Sequence, residues 1–356
     1  MDYGRTRRLS LPKHFQVIDL SSDTSTRPSP AMREAMARAE VGDEQRGEDP
    51  TTRELERRMA ELCGFEAATF LVSATMANAI ALQLHCAAGD EILAAENSHI
   101  VADEGGGSAA LARAVVRTIP TWNGIFEASA VRARMRTESP RSPRTRLVTV
   151  ENTTNMGGGR PWPRAQLQEV VEVSKKLGLA LHLDGSRLFN AACALQRPVS
   201  DLTPGFDTAT VCLSKGLGCP VGAVLLSSRA EAARAARIKQ MMGGAMRQSG
   251  VLAAAGLYAL EHNLERLRED HALAEYLALR LGEHPGVIVE SVPVRTNMVF
   301  FEQSGPQAAS FDERLIEQGV RVARVGPQRF RAVTHLDVSR LDVDRAVSVI
   351  ASILKA

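Results

Sequence analysis

Apolar residues along the chain switch repeatedly between helical and extended spacing, and this alternation predicts an α/β fold with a mostly parallel central sheet. Asp49-Pro50-Thr51-Thr52-Arg53-Glu54 carries helix-start signals: a carboxylate at the N-cap, proline at the first helical position and an acid in the first turn. Leu55, Met59 and Leu62 then recur at helical spacing and should face a core, with Gly64 ending the helix. Phe70-Leu71-Val72 reads as a strand feeding the Ser73-Ala74-Thr75 turn and an alanine-rich helix. Leu147–Val150 reads as a strand that opens into Glu151-Asn152-Thr153-Thr154-Asn155 and Gly157-Gly158-Gly159. A helix over 163–177, stopped by Gly178, precedes three more apolar strands, Leu179–Leu183, Thr208–Leu213 and Val221–Leu226. The first of these ends on Asp184 and the second on Ser214-Lys215. Polar residues thus recur at the carboxyl ends of strands, where open α/β sheets bind ligands.

From about Leu260 the pattern becomes long charged helices and shorter strands such as Met298–Phe301. The expected organisation is an N-terminal extension (1–16), a large domain (17–260) and a smaller α+β C-terminal domain (261–356). A length of 356 residues with 44% hydrophobic and 24% charged positions suits one large unit plus a smaller one. No apolar run approaches the length needed to span a membrane; Val251–Leu260 reads as a buried helix, and the N-terminus lacks the apolar stretch of a signal peptide. A net charge of +2 gives no reason to expect nucleic acid or a membrane as a partner. The arginine-rich stretch Arg132–Arg146, broken by Pro140 and Pro143, reads as a solvated surface loop. Five cysteines without CxxC spacing, each among apolar or small neighbours, predict reduced, buried thiols in a cytoplasmic protein, with no metal site.

Lysine is scarce: six against 37 arginines. Lys215, between an apolar strand and Gly216-Leu217-Gly218, therefore stands out, because imine formation needs an amine that can lose its proton and arginine cannot supply one. Alone, Ser-Lys-Gly also fits a lysine in a surface turn. Asp184 changes that reading. It ends a strand 31 residues before Lys215, room for one crossover between parallel strands. Pyridoxal 5′-phosphate (PLP) needs this pair, an acid opposite its pyridinium nitrogen and a lysine from a nearby strand end. Its phosphate needs backbone donors at a helix N-terminus, which the turn at Ala74 and Thr75 would offer.

The ordered motifs then carry a family likeness. They are Asp19-Leu20-Ser21-Ser22-Asp23-Thr24, Gly42-Asp43-Glu44, Gly47-Glu48-Asp49-Pro50, Ser98-His99, Glu104-Gly105-Gly106-Gly107 and Glu151-Asn152-Thr153. They continue through His182-Leu183-Asp184-Gly185-Ser186-Arg187, Ser214-Lys215-Gly216-Leu217-Gly218, Gly243–Gly250 and Thr334-His335-Leu336-Asp337-Val338-Ser339. In this order they resemble the L-threonine aldolase family, in the β-eliminating-lyase group of fold type I (aspartate-aminotransferase-like) PLP enzymes. The resemblance implies Lys215 as the Schiff-base lysine, Asp184 as the pyridinium partner, His99 as the histidine stacked on the cofactor ring, and Ala74 and Thr75 as phosphate ligands. Arg247 resembles a phosphate-side residue donated by a neighbouring subunit, implying a homo-oligomer, with a dimer of dimers expected. Ser22, Arg187 and Arg331 resemble a substrate-carboxylate clamp, with Arg187 also beside the cofactor. The implied reaction is retro-aldol cleavage of an L-β-hydroxy-α-amino acid to glycine and an aldehyde; a racemase, transaldolase or β-eliminating lyase would use the same Lys215 and Asp184.

Three positions depart from the family pattern, Gln240 among them where lysine is common. Thr154 stands where the family usually has a histidine near the β-hydroxyl, and a threonine hydroxyl is no base near neutral pH. Arg46 stands where tyrosine is common and adds a cation near the expected substrate mouth. Together they predict a preference for a bulkier or acidic β-substituent over simple threonine.

Overall fold

The computed structural model describes residues 17–293, 295–305 and 308–355, so the expected extension at 1–16 lies outside the described residues. In chain order the strands are β1 (Ile18–Asp19), β2 (Ala67–Leu71), β3 (Glu91–Ala95), β4 (Val115–Ile119), β5 (Thr145–Glu151), β6 (Ala180–Asp184), β7 (Thr208–Cys212) and β8 (Ala223–Ser227). They are followed by β9 (Val287–Val289), β10 (Met298–Gln303), β11 (Val320–Arg321), β12 (Ala323–Arg324) and β13 (Arg329–Val333). Seven of them form one sheet in the order β2-β8-β7-β6-β5-β3-β4, in which β8 alone runs antiparallel to its neighbours. The expected α/β architecture with a mostly parallel sheet is therefore the one observed. Every residue of β3, β7 and β8 is buried, as a sheet covered on both faces requires.

From β3 the chain steps outward to β4, whereas β5, β6 and β7 follow one another in the opposite direction. The order reverses between β3 and β5, and it is beyond the carboxyl ends of the strands at such a reversal that open α/β sheets bind ligands.

Local chemistry explains the helix ends. In the helix Pro50–Cys63 the Asp49 carboxylate accepts from the Thr52 amide, and Gly64 closes it at φ 72°, a conformation that favours glycine. Leu55, Met59 and Cys63 form its buried ridge, but Leu62 is 39% exposed. The i, i+4 run Leu55–Met59–Cys63 turns toward the sheet, which leaves Leu62 on the far rim of that face. The arginine-rich stretch is also less free than expected. Its first residues lie in the helix Ala128–Arg134, Arg134 donates to the Thr118 carbonyl, and Arg136 and Arg144 pair with Glu91 and Asp90 at the start of β3.

A second core joins the helices Leu267–Gly282 and Arg340–Lys355 to the antiparallel sheet β12-β13-β10-β9, with Phe301, Phe311 and Phe330 at its centre. Ile18 and Leu20 belong to this core, because β1 pairs with β11. The N-terminal strand expected in the large unit thus packs with the C-terminal elements. Residues 21–26 cross from there to the large sheet, where Thr26 Oγ1 donates to the Lys215 carbonyl.

Candidate active site

Because β3, β5, β6 and β7 are mutually parallel, His99, Glu151, Asp184 and Lys215 emerge at one edge of the sheet. Asp184 is buried and accepts from Asn78 Nδ2 (3.0 Å), the Ser186 amide (3.1 Å) and the Ser186 hydroxyl (2.7 Å). Burial alone would raise its pKa, but the charges of His99 and Lys215 and these hydrogen bonds hold it below the ordinary aspartate value. His99 follows β3; its amide donates to Glu151 Oε2 (2.7 Å) and its Nδ1 lies 2.9 Å from Glu104 Oε1. Burial would lower the imidazole pKa; the Glu104 hydrogen bond and the Asp184 charge outweigh it, and the pKa rises. Glu151, fully enclosed and beside the Asp184 charge, is pushed up to about 7. Glu104 is likewise raised, by burial first.

The helix Ala74–His85 begins at this same edge. Ser73 caps it by accepting from the Met76 amide, which leaves the amides of Ala74 and Thr75 in the unpaired first turn. Asn78, one turn further along, touches Asp184, so the helix N-terminus lies about 6 Å from that contact along the axis.

The expected carboxylate clamp converges on residues 21–23. Arg187 makes a two-point ion pair with Asp23 (2.7 and 2.8 Å), both side chains buried, and Asn297 Nδ2 also donates to Asp23. Arg331 donates to the Ser21 carbonyl (3.1 Å) and to Asn155 Oδ1 (2.8 Å). Strand alternation places it there: Phe330 is buried in the second core, so Arg329 and Arg331 face the loop after β5. Ser22 Oγ accepts from the Thr24 amide in the same turn.

Arg46 and Arg247 are not part of this group within one chain. Both are exposed and both approach Asp43, at 3.8 and 3.1 Å, next to Glu44, which pairs with the buried Lys239. Thr154 is buried in its loop: its amide donates to the Arg160 carbonyl, its hydroxyl lies 3.3 Å from the Arg160 amide, and its side chain packs on Gly124 and Gly157. That loop is anchored by Trp162, whose Nε1 donates to the Glu151 carbonyl (3.0 Å) and whose ring meets Phe126 edge-on.

Four residues were given no role from the sequence: Asn78, Glu104, Glu151 and Asp23. Glu104, Glu151 and Asp23 sit inside quoted motifs, and an acid within an ordered motif is the signal that would have found them. Asn78 follows the Ser-Ala-Thr turn by one helical turn, a spacing that aims it at whatever the helix N-terminus faces.

A β-eliminating lyase family model matches residues 19–304. Over 325 residues the chain is 42% identical to the low specificity L-threonine aldolase of Escherichia coli K12, covering 91% of this chain and 95% of that one. It is 40% identical to the low-specificity L-threonine aldolase 1 of Arabidopsis thaliana, with 93% and 94% covered. The chain belongs to the L-threonine aldolase family. A solved Leishmania major threonine aldolase superposes with a TM-score of 0.83 at 20% identity, covering 94% of this chain and 99% of that one, so this family member also shares its fold. The fold is that of type I PLP enzymes, and the family is one of PLP-dependent lyases.

The donor set fits that cofactor. One edge offers an amine (Lys215), a carboxylate held ionised under burial (Asp184), an imidazole (His99) and a helix N-terminus whose first-turn amides suit a phosphate. Among the described residues no helix is long and apolar enough to cross a membrane, and the five cysteines are free thiols. Burial pushes Cys63 up to about 12, which keeps it an unreactive thiol.

Proposed function

We propose that this chain cleaves L-β-hydroxy-α-amino acids, threonine among them, to glycine and an aldehyde with PLP as cofactor. The observation that carries this reading is the meeting of Lys215, Asp184 and His99 at the switch-point edge, beside a helix N-terminus. When bound, PLP supplies an electron sink for the pair released from the broken Cα–Cβ bond. Lys215 is the residue that would hold the cofactor, Asp184 would face its ring nitrogen, and the amides of Ala74 and Thr75 would take its phosphate.

Arg331, set between the turn at Ser21 and the Asn155 side chain, would bind the substrate carboxylate, a geometry suited to a planar guanidinium. Fixing the carboxylate fixes which bond at Cα is aligned for cleavage. Arg187, committed to Asp23 on one side, would border the same space and orient the turn carrying Ser22.

The proton of the β-hydroxyl needs an acceptor. The Thr154 hydroxyl is engaged with the Arg160 amide and buried in its loop, so it serves as a brace. His99 is the better candidate: with Nδ1 engaged by Glu104, Nε2 is the ring nitrogen left for proton exchange. Arg46 and Arg247, exposed together on Asp43, suit a role at a neighbouring copy's site, consistent with a homo-oligomer. Reduced thiols suit a cytoplasmic protein.

The test is product analysis with threonine, phenylserine and 3-hydroxyaspartate. Equimolar glycine and aldehyde are expected. Pyruvate with ammonia would indicate a β-eliminating lyase, and loss of optical activity without aldehyde a racemase. A higher kcat/KM for threonine than for the other two would refute the preference for a bulkier or acidic β-substituent.

A further inference from the structure

Asp184 is the end of a hydrogen-bonded chain that runs away from the proposed cofactor site and beneath the sheet. Asn78 Nδ2 reaches both Asp184 Oδ2 (3.0 Å) and Glu104 Oε1 (2.7 Å), and Asn78 Oδ1 lies 3.1 Å from His182 Nε2. His182 Nδ1 lies 2.9 Å from Thr208 Oγ1, which lies 2.9 Å from His85 Nε2.

The placement follows from two periodicities. His182 and Asp184 are two residues apart on β6 and share a face of the sheet; Thr208 is the register partner of His182 on β7. Asn78 and His85 are seven residues apart, two turns, on the helix covering that face.

The orientation of Asn78 sets a consistent direction for the donors along the chain. An amide between two carboxylates must present its N–H edge to both, so Asn78 turns its oxygen to His182. Nε2 of His182 is then the donor. Burial drives the His182 pKa down to about 4, so its ring is neutral and Nδ1 accepts. The Thr208 hydroxyl must therefore donate to Nδ1, and its oxygen accepts from His85 Nε2–H. All four bonds point their positive ends toward Asp184.

We infer that His182 is a positioning residue for Asp184: acting through Asn78, it keeps the N–H edge of the amide on the carboxylate and thereby holds the acid that would face the cofactor's ring nitrogen in its ionised form. This rests on the PLP reading proposed above. The charged and titratable groups around the chain are His99, Lys215, Glu104 and Glu151 at the Asp184 end, and Glu231, Asp207 and Arg234 at the His85 end.

The test compares His182→Leu, His182→Gln and Asp184→Ala. Each is stripped and titrated with PLP, and the pH midpoint of the bound cofactor's visible band is recorded. His182→Leu is expected to bind PLP roughly tenfold more weakly, the order expected when a hydrogen bond supporting a charged group is lost, with a raised midpoint. His182→Gln offers an N–H to Asn78 and an oxygen to Thr208, so it should stay near the wild-type affinity and midpoint. If His182→Leu does not fold, Thr208→Val serves instead, with a smaller change in the same direction. Wild-type affinity and midpoint in the Leu variant (or in Thr208→Val where that replaces it), or a Gln variant as impaired as Leu, would overturn the inference. Asp184→Ala separates the two levels: if it binds PLP as tightly as wild type, the cofactor reading itself fails, whereas if it loses PLP while His182→Leu does not, only the role of His182 falls.

Discussion

Asp23→Asn isolates the contribution of the buried ion pair behind the substrate site. The substitution keeps the side chain's shape and removes its charge, leaving Arg187, a guanidinium with only 5% side-chain exposure, without an anion. Breaking one partner of a buried pair costs about 3–5 kcal/mol, because the remaining charge stays desolvated. An unfolding entropy of about 2.1 cal/mol/K per residue over 356 residues makes each 1 kcal/mol worth roughly 1.3 °C, so Tm should fall by about 4–7 °C. The pH dependence has a definite sign. Arg187 and the Asn297 amide hold the Asp23 pKa far below its ordinary value despite burial. Its contribution is therefore fully present above the unfolded-state pKa near 4 and is lost only as pH falls toward the lower folded-state value. The Tm gap between wild type and variant should be constant from pH 9 to 5 and shrink only in stronger acid. Because Asp23 also anchors the turn that carries Ser22, KM for threonine should rise more than kcat falls. Thermal melts across pH, with an aldehyde-release assay, measure both. An unchanged Tm with an unchanged KM would refute the assignment of Asp23 as the residue that neutralises Arg187.

Lys215→Ala should abolish the visible absorbance of bound cofactor; a variant that kept it would overturn the lysine assignment. Arg331→Lys loses the planar fork that meets a carboxylate at two points, and KM for threonine should rise about tenfold in steady-state assays with kcat little changed. Thr154→His, which restores the residue common in the family, should not raise threonine cleavage. A Cβ on Gly124 would already come within 2.8 Å of Thr154 Cγ2, so the larger ring should cost about 1–3 kcal/mol in overpacking, read as a lower Tm. Glu151, raised to about 7, binds its proton more tightly folded than unfolded, so wild-type stability should fall as pH rises from about 4.5 to 7 and then level. Melts of Glu151→Gln over the same range should lack that slope.

What local patterning dictates was legible in the chain itself. Asp49-Pro50 and Gly64 bound a helix because N-caps and left-handed glycines act within a few residues. Apolar runs ending on Asp184 and Lys215 marked strands of a parallel sheet because burial on both faces leaves no polar alternation. The rarity of lysine singled out Lys215, and the order of motifs named the family. Tertiary structure decided what depends on distance across the sequence. Helical periodicity alone did not separate Leu62 from Cys63 on the helix rim, and it gave no sign that Ile18 and Leu20 would pack among residues some 250 or more positions later. The pairing of Asp23 with Arg187, the burial of Thr154 against Gly124, and the chain from His85 to Asp184 each join segments tens to well over a hundred residues apart. Electrostatic character follows the same division. A carboxylate's identity is written in the sequence, but Asp184 is held ionised and Glu151 is pushed toward neutrality by burial and by charges that only the fold brings beside them.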